Sequence, residues 1–319
     1  MYKEIGGYIE FEYYHGKEFH DNAIKLNCSR NALAYLIKLY GIKKIYIPYF
    51  LCDSVLNVCR KYEVEVCYYH IDEKFQPIIP EVDFSKDWLY VVNYYGQLDN
   101  KKIKQFSYSI KNLIIDNVQS FFQSAVINIP TIYNCRKYFG VIDGAYLYSD
   151  KTLEEKFERD ISYNNMEYLV GRFEKTASEF YNQYVSNNKR FANESIKLMS
   201  AFTENIMHSL DYEQIKKVRT ENFRYLHENL KDINKLKLTV PEGAFSYPLL
   251  IDNGAEIRKK LQAEKIYIPT LWPDVFEICD ENYLEFKYAK DILPLPVDQR
   301  YGIEEMNFIY GRIREYAKG

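Results

Sequence analysis

The stretch that most constrains the fold is Leu113-Ile114-Ile115-Asp116, an apolar run that ends in a carboxylate. An unbroken apolar run fits a strand covered on both faces, as in a parallel sheet, and open α/β sheets bind ligands at the carboxyl ends of their strands. Asp116 is thereby placed to meet a bound molecule. Lys137 follows twenty-one residues later, ahead of Ala145-Tyr146-Leu147-Tyr148, which reads as a further strand. The two residues are expected to face one pocket.

The order of elements around this stretch supports the same sheet. Lys44 to Pro48 is β-rich, Leu51 to Lys61 is helical in pattern, and Val64 to Tyr69 is again β-rich. Strand, helix, strand in that order is a βαβ unit and implies parallel pairing. Trp88 to Gln97 is a buried-strand pattern ending at a glycine turn, and Lys101 to Ser109 reads as the crossover that leads to Leu113. Beyond Asp150 the periodicity predicts helices over Leu153 to Phe157, Tyr168 to Tyr184, Glu194 to Leu210 and Tyr212 to Leu230. Leu236 to Val240, Ser246 to Ile251 and Ile266 to Pro269 are strand-like, with a helix over Ala255 to Gln262. The expected architecture is α/β, a mostly parallel sheet flanked by helices, with a small α+β C-terminal domain. The expected division is 1–210 and 211–319. Residues Gly6 to Tyr14 alternate apolar and acidic side chains and read as a short edge strand or arm.

Composition narrows the partners. Net charge is −3 with no block of Lys and Arg, which argues against nucleic acid, since phosphate backbones are bound by clustered basic side chains. The six cysteines show no Cys-x-x-Cys pair and no His at zinc-ligand spacing, so they read as reduced thiols. Met1 to Ile5 carries charges where a signal peptide needs an apolar core, and no apolar run is long enough for a membrane span. A cytoplasmic protein without membrane partners is expected.

A strand-end Asp and a Lys ahead of a later strand are what pyridoxal 5'-phosphate (PLP) chemistry requires. The Lys forms the Schiff base and the Asp keeps the pyridinium nitrogen protonated. Ser29, preceding the helical pattern Ala32 to Ile37, is a candidate N-cap, and a helix N-terminus there would cradle a phosphate. With Asp116, Gln119 and Lys137 in this order and spacing, the chain resembles the DegT/DnrJ/EryC1/StrS family of sugar aminotransferases, whose pattern is Asp-x-x-His/Gln and then the Schiff-base Lys.

The resemblance spans nearly the whole chain and is strongest from 88 to 148. It implies fold type I, PLP as cofactor, Lys137 as catalytic residue, Asp116 at the ring nitrogen and Gln119 at the phenolic oxygen. Ser29 and Arg30 fall where the family binds phosphate, but this chain lacks the family's glycine there. Asn134 is the candidate for the family's phosphate-binding Ser, Asn93 replaces a strand-end His, and Cys52 falls where an aromatic residue stacks on the ring. The resemblance further implies a nucleotide-linked keto-sugar as substrate, glutamate or glutamine as amino-acid donor, and a homodimer with shared sites. The segment around Met199-Ser200 or the Tyr-rich arm would then reach the partner.

Other readings compete. Lys137 argues against the family's dehydratases, which carry His at that place. The missing glycine, the missing aromatic and Asn93 leave room for a relative that has lost catalysis and acts as a binding or regulatory protein. A nucleotide-sugar transferase is weaker, because the chain has no Asp-x-Asp.

Overall fold

The computed structural model describes residues 5–318; the charged N-terminus, Met1 to Glu4, lies outside them. The first half of the chain alternates strands and helices: β1 (Ile24–Leu26), α1 (Ser29–Tyr40), β2 (Lys44–Pro48), α2 (Asp53–Lys61), β3 (Glu65–Tyr69), β4 (Trp88–Val92), α3 (Asn100–Ser109), β5 (Leu113–Asp116), β6 (Thr131–Asn134) and β7 (Ala145–Tyr148). The second half is mainly helical: α4 (Glu167–Glu174), α5 (Tyr181–Arg190), α6 (Ala201–Met207), α7 (Tyr212–Leu230), β8 (Ser246–Leu250), α8 (Gly254–Ala263), α9 (Val275–Ile278), α10 (Leu284–Asp291), β9 (Ile292–Pro296) and α11 (Ile303–Tyr316).

Seven strands form the main sheet in the order β1-β7-β6-β5-β4-β2-β3. The pairs from β3 through β2, β4 and β5 to β6 are parallel, and only β7 runs against its neighbours. Strands β4 and β5 are buried at every residue, as their unbroken apolar sequence requires when helices cover both faces. Because β7 is antiparallel to both β6 and β1, the carboxyl ends of β1, β2, β4, β5 and β6 lie on one edge of the sheet. Residues 27–30, 49–53, 93–97, 116–119 and 134–137 therefore converge there. The chain also steps from β3 across β2 to β4, which opens the sheet edge at β2 in the way that makes ligand clefts in α/β folds.

A separate apolar cluster is built between Phe223 and Ile313, where α7, α8 and α11 pack on the two-stranded sheet of β8 and β9.

Several sequence expectations need correction. Leu236 to Val240 and Ile266 to Pro269 are not strands; the partner of β8 is the Leu-Pro run of β9. Pro248 faces Pro294 in that pairing, which a two-stranded sheet tolerates because each strand has an edge free of ladder bonds. No helix forms over Leu153 to Phe157, and the helix expected over Tyr168 to Tyr184 is broken into α4 and α5. The break lets the Phe180 ring lie against Gly171, so closely that an added Cβ would sit 2.5 Å from it. The helix expected from Glu194 shrinks to α6, because the preceding residues are drawn out beside β1, with Leu198 bridging Leu26 and Met199 N donating to Lys25 O. Gly6 to Tyr14 forms no strand. It is an exposed arm whose far end docks on α6, with Phe11 edge-on to Phe202 at 5.0 Å and Tyr14 N donating to Asn205 Oδ1 at 2.9 Å. Strands β1 and β6 had no counterpart in the sequence reading.

Candidate functional site

At the end of β5, Asp116 is 4% exposed. One carboxylate oxygen accepts the Tyr90 hydroxyl at 2.7 Å, and the other accepts the Val118 amide at 2.9 Å. Burial pushes the carboxyl above the usual carboxylate range, opposed by the charge of Lys137 and by these two hydrogen bonds. Asp116 and Lys137 are thus in electrostatic contact, although no direct ion pair joins them.

Lys137 lies in the link between β6 and β7, and its side chain is exposed. It has no carboxylate partner among the described residues, and its ammonium lies 5.6 Å from the centre of the Phe245 ring. The backbone of the turn is fixed from below by Asn134, whose Oδ1 accepts the Lys137 amide at 3.1 Å. The same Asn134 donates through Nδ2 to Ser29 Oγ at 2.9 Å, tying the Lys137 turn to the first turn of α1. Cys28, rather than Ser29, is the N-cap of α1, and no side chain caps this helix. Its leading amides and the Ser29 hydroxyl are therefore available to an anion at the sheet edge. Arg30 is half-buried beside them and makes no ion pair among the described residues.

Gln119 is buried three residues beyond Asp116. Its Oε1 accepts the Tyr95 amide at 2.9 Å, holding a turn in which Tyr95 adopts φ +54°. Its Nε2 is buried with no hydrogen-bond partner among the described residues. An orphaned buried amide is costly, of order 1–3 kcal/mol, and such a donor is what a ligand's oxygen would satisfy.

Cys52 caps α2 at the end of β2 without a side-chain cap bond, and its thiol lies 2.7 Å from Ser54 Oγ. Asn93 is placed differently from the sequence reading. Its amide donates to Asn117 Oδ1 at 3.0 Å and Gln123 Oε1 at 2.9 Å, and its oxygen accepts the Leu98 amide at 2.9 Å. Both amide hydrogens thus go to the segment after β5 and the oxygen to the turn after β4, so Asn93 ties these two segments together. Met199 and Ser200 are buried within their own chain, where Ser200 caps α6 and donates to Asp143.

Sequence reasoning missed Tyr90 and Phe245. Tyr90 was legible in principle. In the parallel register Tyr90 pairs with Ile114 and Val92 with Asp116, so the two-residue alternation puts Tyr90 and Asp116 on one face. Phe245 had no signal, because it approaches Lys137 from a part of the chain with no local relation to it.

A scan against protein-family models finds no match, and a search of curated proteins finds none. Solved structures do match. A DegT DnrJ EryC1 StrS aminotransferase from Brucella abortus is 13% identical, with 96% of this chain and 92% of that chain covered at a TM-score of 0.64. NtdA from Bacillus subtilis, with bound cofactor PMP, is 13% identical over 93% of this chain and 73% of that chain, at a TM-score of 0.66. The GDP-4-keto-6-deoxy-D-mannose-3-dehydratase of E. coli, with bound hydrated PLP, is 13% identical over 91% and 87%, at a TM-score of 0.63. These likenesses establish the fold, that of fold-type-I transferases, for almost the full chain.

Proposed function

We propose that the chain is a PLP-dependent aminotransferase that moves an amino group from an amino-acid donor to a nucleotide-linked keto-sugar. One observation carries the reading: the buried Asp116, the orphaned amide of Gln119 and the unpaired Lys137 share one sheet edge in a fold whose solved examples include PLP- and PMP-bound proteins. The donor set suits the cofactor. A buried carboxylate matches a protonated ring nitrogen, a free amide matches a phenolic oxygen, and an uncapped helix start matches a phosphate.

When bound, PLP supplies an electron sink and carries the amino group between the two substrates. Asp116 would hold the proton on the ring nitrogen, and Gln119 Nε2 would donate to the phenolic oxygen. Lys137 Nζ would be the covalent attachment point and, as a free amine, the base that moves a proton at the reacting carbon. Ser29, Arg30 and Asn134 would hold the phosphate, and Cys52 would border the ring. Asn93 supports the wall from behind. The protein acts as a cytoplasmic homodimer in this reading, with the arm as the bridging element: Ile5, Tyr8 and Ile9 are 99%, 96% and 91% exposed. No helix among the described residues is long and apolar enough to cross a membrane.

The test is titration with PLP, followed by borohydride and peptide mapping. The expected result is one reduced adduct, on Lys137, with none in Lys137→Ala. An adduct that survives in that variant overturns the assignment, and Lys101, Lys102 and Lys104 are then the next to map. A second reading, a binding protein without catalysis, is favoured by the hydrogen bond that Ser29 and Asn134 spend on each other. It predicts an adduct on Lys137 with no amine exchange from glutamate or glutamine.

A further inference from the structure

We infer that Arg219 is a positioning residue for Lys137: with Gln299 it grips the Tyr138 carbonyl and so fixes the turn from which Lys137 enters the site. This rests on the proposed role of Lys137. Arg219 belongs to α7, is 1% exposed, and has no carboxylate within ion-pairing distance among the described residues. The nearby Asp298 is turned to Arg300, at 2.6 Å. A buried cation without a counter-ion is destabilising unless its hydrogen bonds are made, and an apolar side chain of similar size would fill the space at lower cost. The charge therefore calls for a reason beyond packing.

Its hydrogen bonds supply one. Nη2 donates to Tyr138 O at 3.0 Å, Nη1 to Ala244 O at 2.9 Å, and Nε to Gln299 Oε1 at 2.7 Å. Gln299 Nε2 donates to the same Tyr138 carbonyl at 2.8 Å, and the guanidinium lies 4.5 Å over the Tyr138 ring. Tyr138 is the residue after Lys137, and Ala244 precedes Phe245, whose ring faces the Lys137 ammonium. One guanidinium thus holds the backbone beside the lysine and the backbone beside the ring that faces it. Neither contact is made within the element that bears Lys137. The tie comes from α7 and from the loop after β9, so the C-terminal part of the chain sets the direction of the lysine.

The experiment compares wild type with Arg219→Met, Arg219→Lys and Gln299→Leu by two readouts. The first is the fraction of bound PLP that is attached to Lys137, from the absorption spectrum and from borohydride trapping, set against total PLP bound. The second, made without cofactor, is the acylation rate of Lys137 relative to Lys101 and Lys102 by mass spectrometry. Arg219→Met is expected to bind PLP within about threefold of wild type while attachment falls about tenfold, the scale of one lost hydrogen bond, with partial rescue in Arg219→Lys. A folded Arg219→Met with wild-type attachment and wild-type acylation overturns the inference. If that variant does not fold, Gln299→Leu, which removes one of the two bonds to Tyr138 O, is decisive by the same measures. Should wild type itself attach no PLP, the proposed function falls, and the acylation ratio alone judges the positioning: a change supports it, and equality ends it.

Discussion

Tyr90 donates its hydroxyl to Asp116 across the β4–β5 pair at 2.7 Å, and both side chains are sealed from solvent. The carboxyl is nonetheless raised above the usual range, because burial outweighs that bond and the charge of Lys137. A carboxyl raised in the folded state binds its proton more tightly there than in the unfolded chain. Its contribution to stability is full below the ordinary carboxylate pKa and is lost as pH rises through the folded value.

Asp116→Asn is therefore expected to stabilise the cofactor-free protein at neutral pH and to leave it unchanged at strongly acid pH. Asn can keep both contacts, accepting the Val118 amide through Oδ1 and donating to the Tyr90 oxygen through Nδ2. Urea unfolding at a series of pH values measures the difference, and a variant less stable at pH 7 would contradict the burial argument. With PLP bound, the same variant is expected to lose turnover far more than cofactor affinity, since negative charge from the reacting carbon reaches the protonated ring nitrogen only in the transition state.

Gln119→Glu separates the two ends of that side chain. The acceptor for the Tyr95 amide remains, but the new carboxylate is buried without a counter-ion, so the melting temperature is expected to fall at neutral pH and to recover as the carboxyl is protonated at acid pH. The free amide is lost, and PLP affinity is expected to drop by about tenfold to a hundredfold, the range for a hydrogen bond to a charged group. Equal affinity, measured by absorbance titration, would remove Gln119 from the pocket.

His20 gives a pH signature independent of the cofactor. Burial pushes its pKa down to about 4, partly offset by the Phe121 carbonyl, which its Nε2 meets at 2.8 Å. Protons bind the unfolded imidazole first, near pH 6.5, so the stability from His20 is complete above that value and is lost as pH falls toward 4. The loss amounts to about 3 kcal/mol. His20→Gln should narrow the stability gap to wild type by that amount across this window. A gap that does not vary with pH would show that His20 does not titrate in this way.

The arm predicts an association. Replacing Ile5, Tyr8 and Ile9 together with Ser removes three exposed apolar side chains. If they are buried by a second copy, dimer affinity should weaken by about a hundredfold or more, since each buried side chain of this size contributes roughly 1.5–3 kcal/mol. Sedimentation at micromolar concentration reads the change, and PLP should tighten the wild-type dimer by linkage. A wild-type monomer saturated with PLP would end the shared-site idea.

The strands at the centre of the sheet were legible because burial on both faces writes itself as unbroken apolar runs, as in Trp88 to Val92 and Leu113 to Ile115. Strands β1 and β6 were not, since each is three or four residues long and carries polar residues such as Lys25, Thr131 and Asn134. The helices after Asp150 were over-extended for a different reason. Periodicity records which side chains are compatible with a helix, but not that Leu198 and Met199 are drawn out beside β1. In the site, Asp116, Gln119 and Lys137 stand in one local stretch and were readable together. Tyr90 needed the strand register, Asn93 needed the whole turn around Leu98 and Gln123, and Phe245 and Arg219 needed the tertiary structure.

The antiparallel join of β6 to β7 orders events on the ribosome. The turn bearing Lys137 is a loop between adjacent strands, closed at its base by Cys135 N donating to Gly144 O at 3.1 Å. Its pairing is local in the chain, so its partners are all present as soon as β7 emerges. Arg219 lies 82 residues beyond Lys137, which at roughly 5–20 residues per second is several seconds of synthesis. The local contacts of the lysine's turn therefore become available first, and the lock from the C-terminal side last.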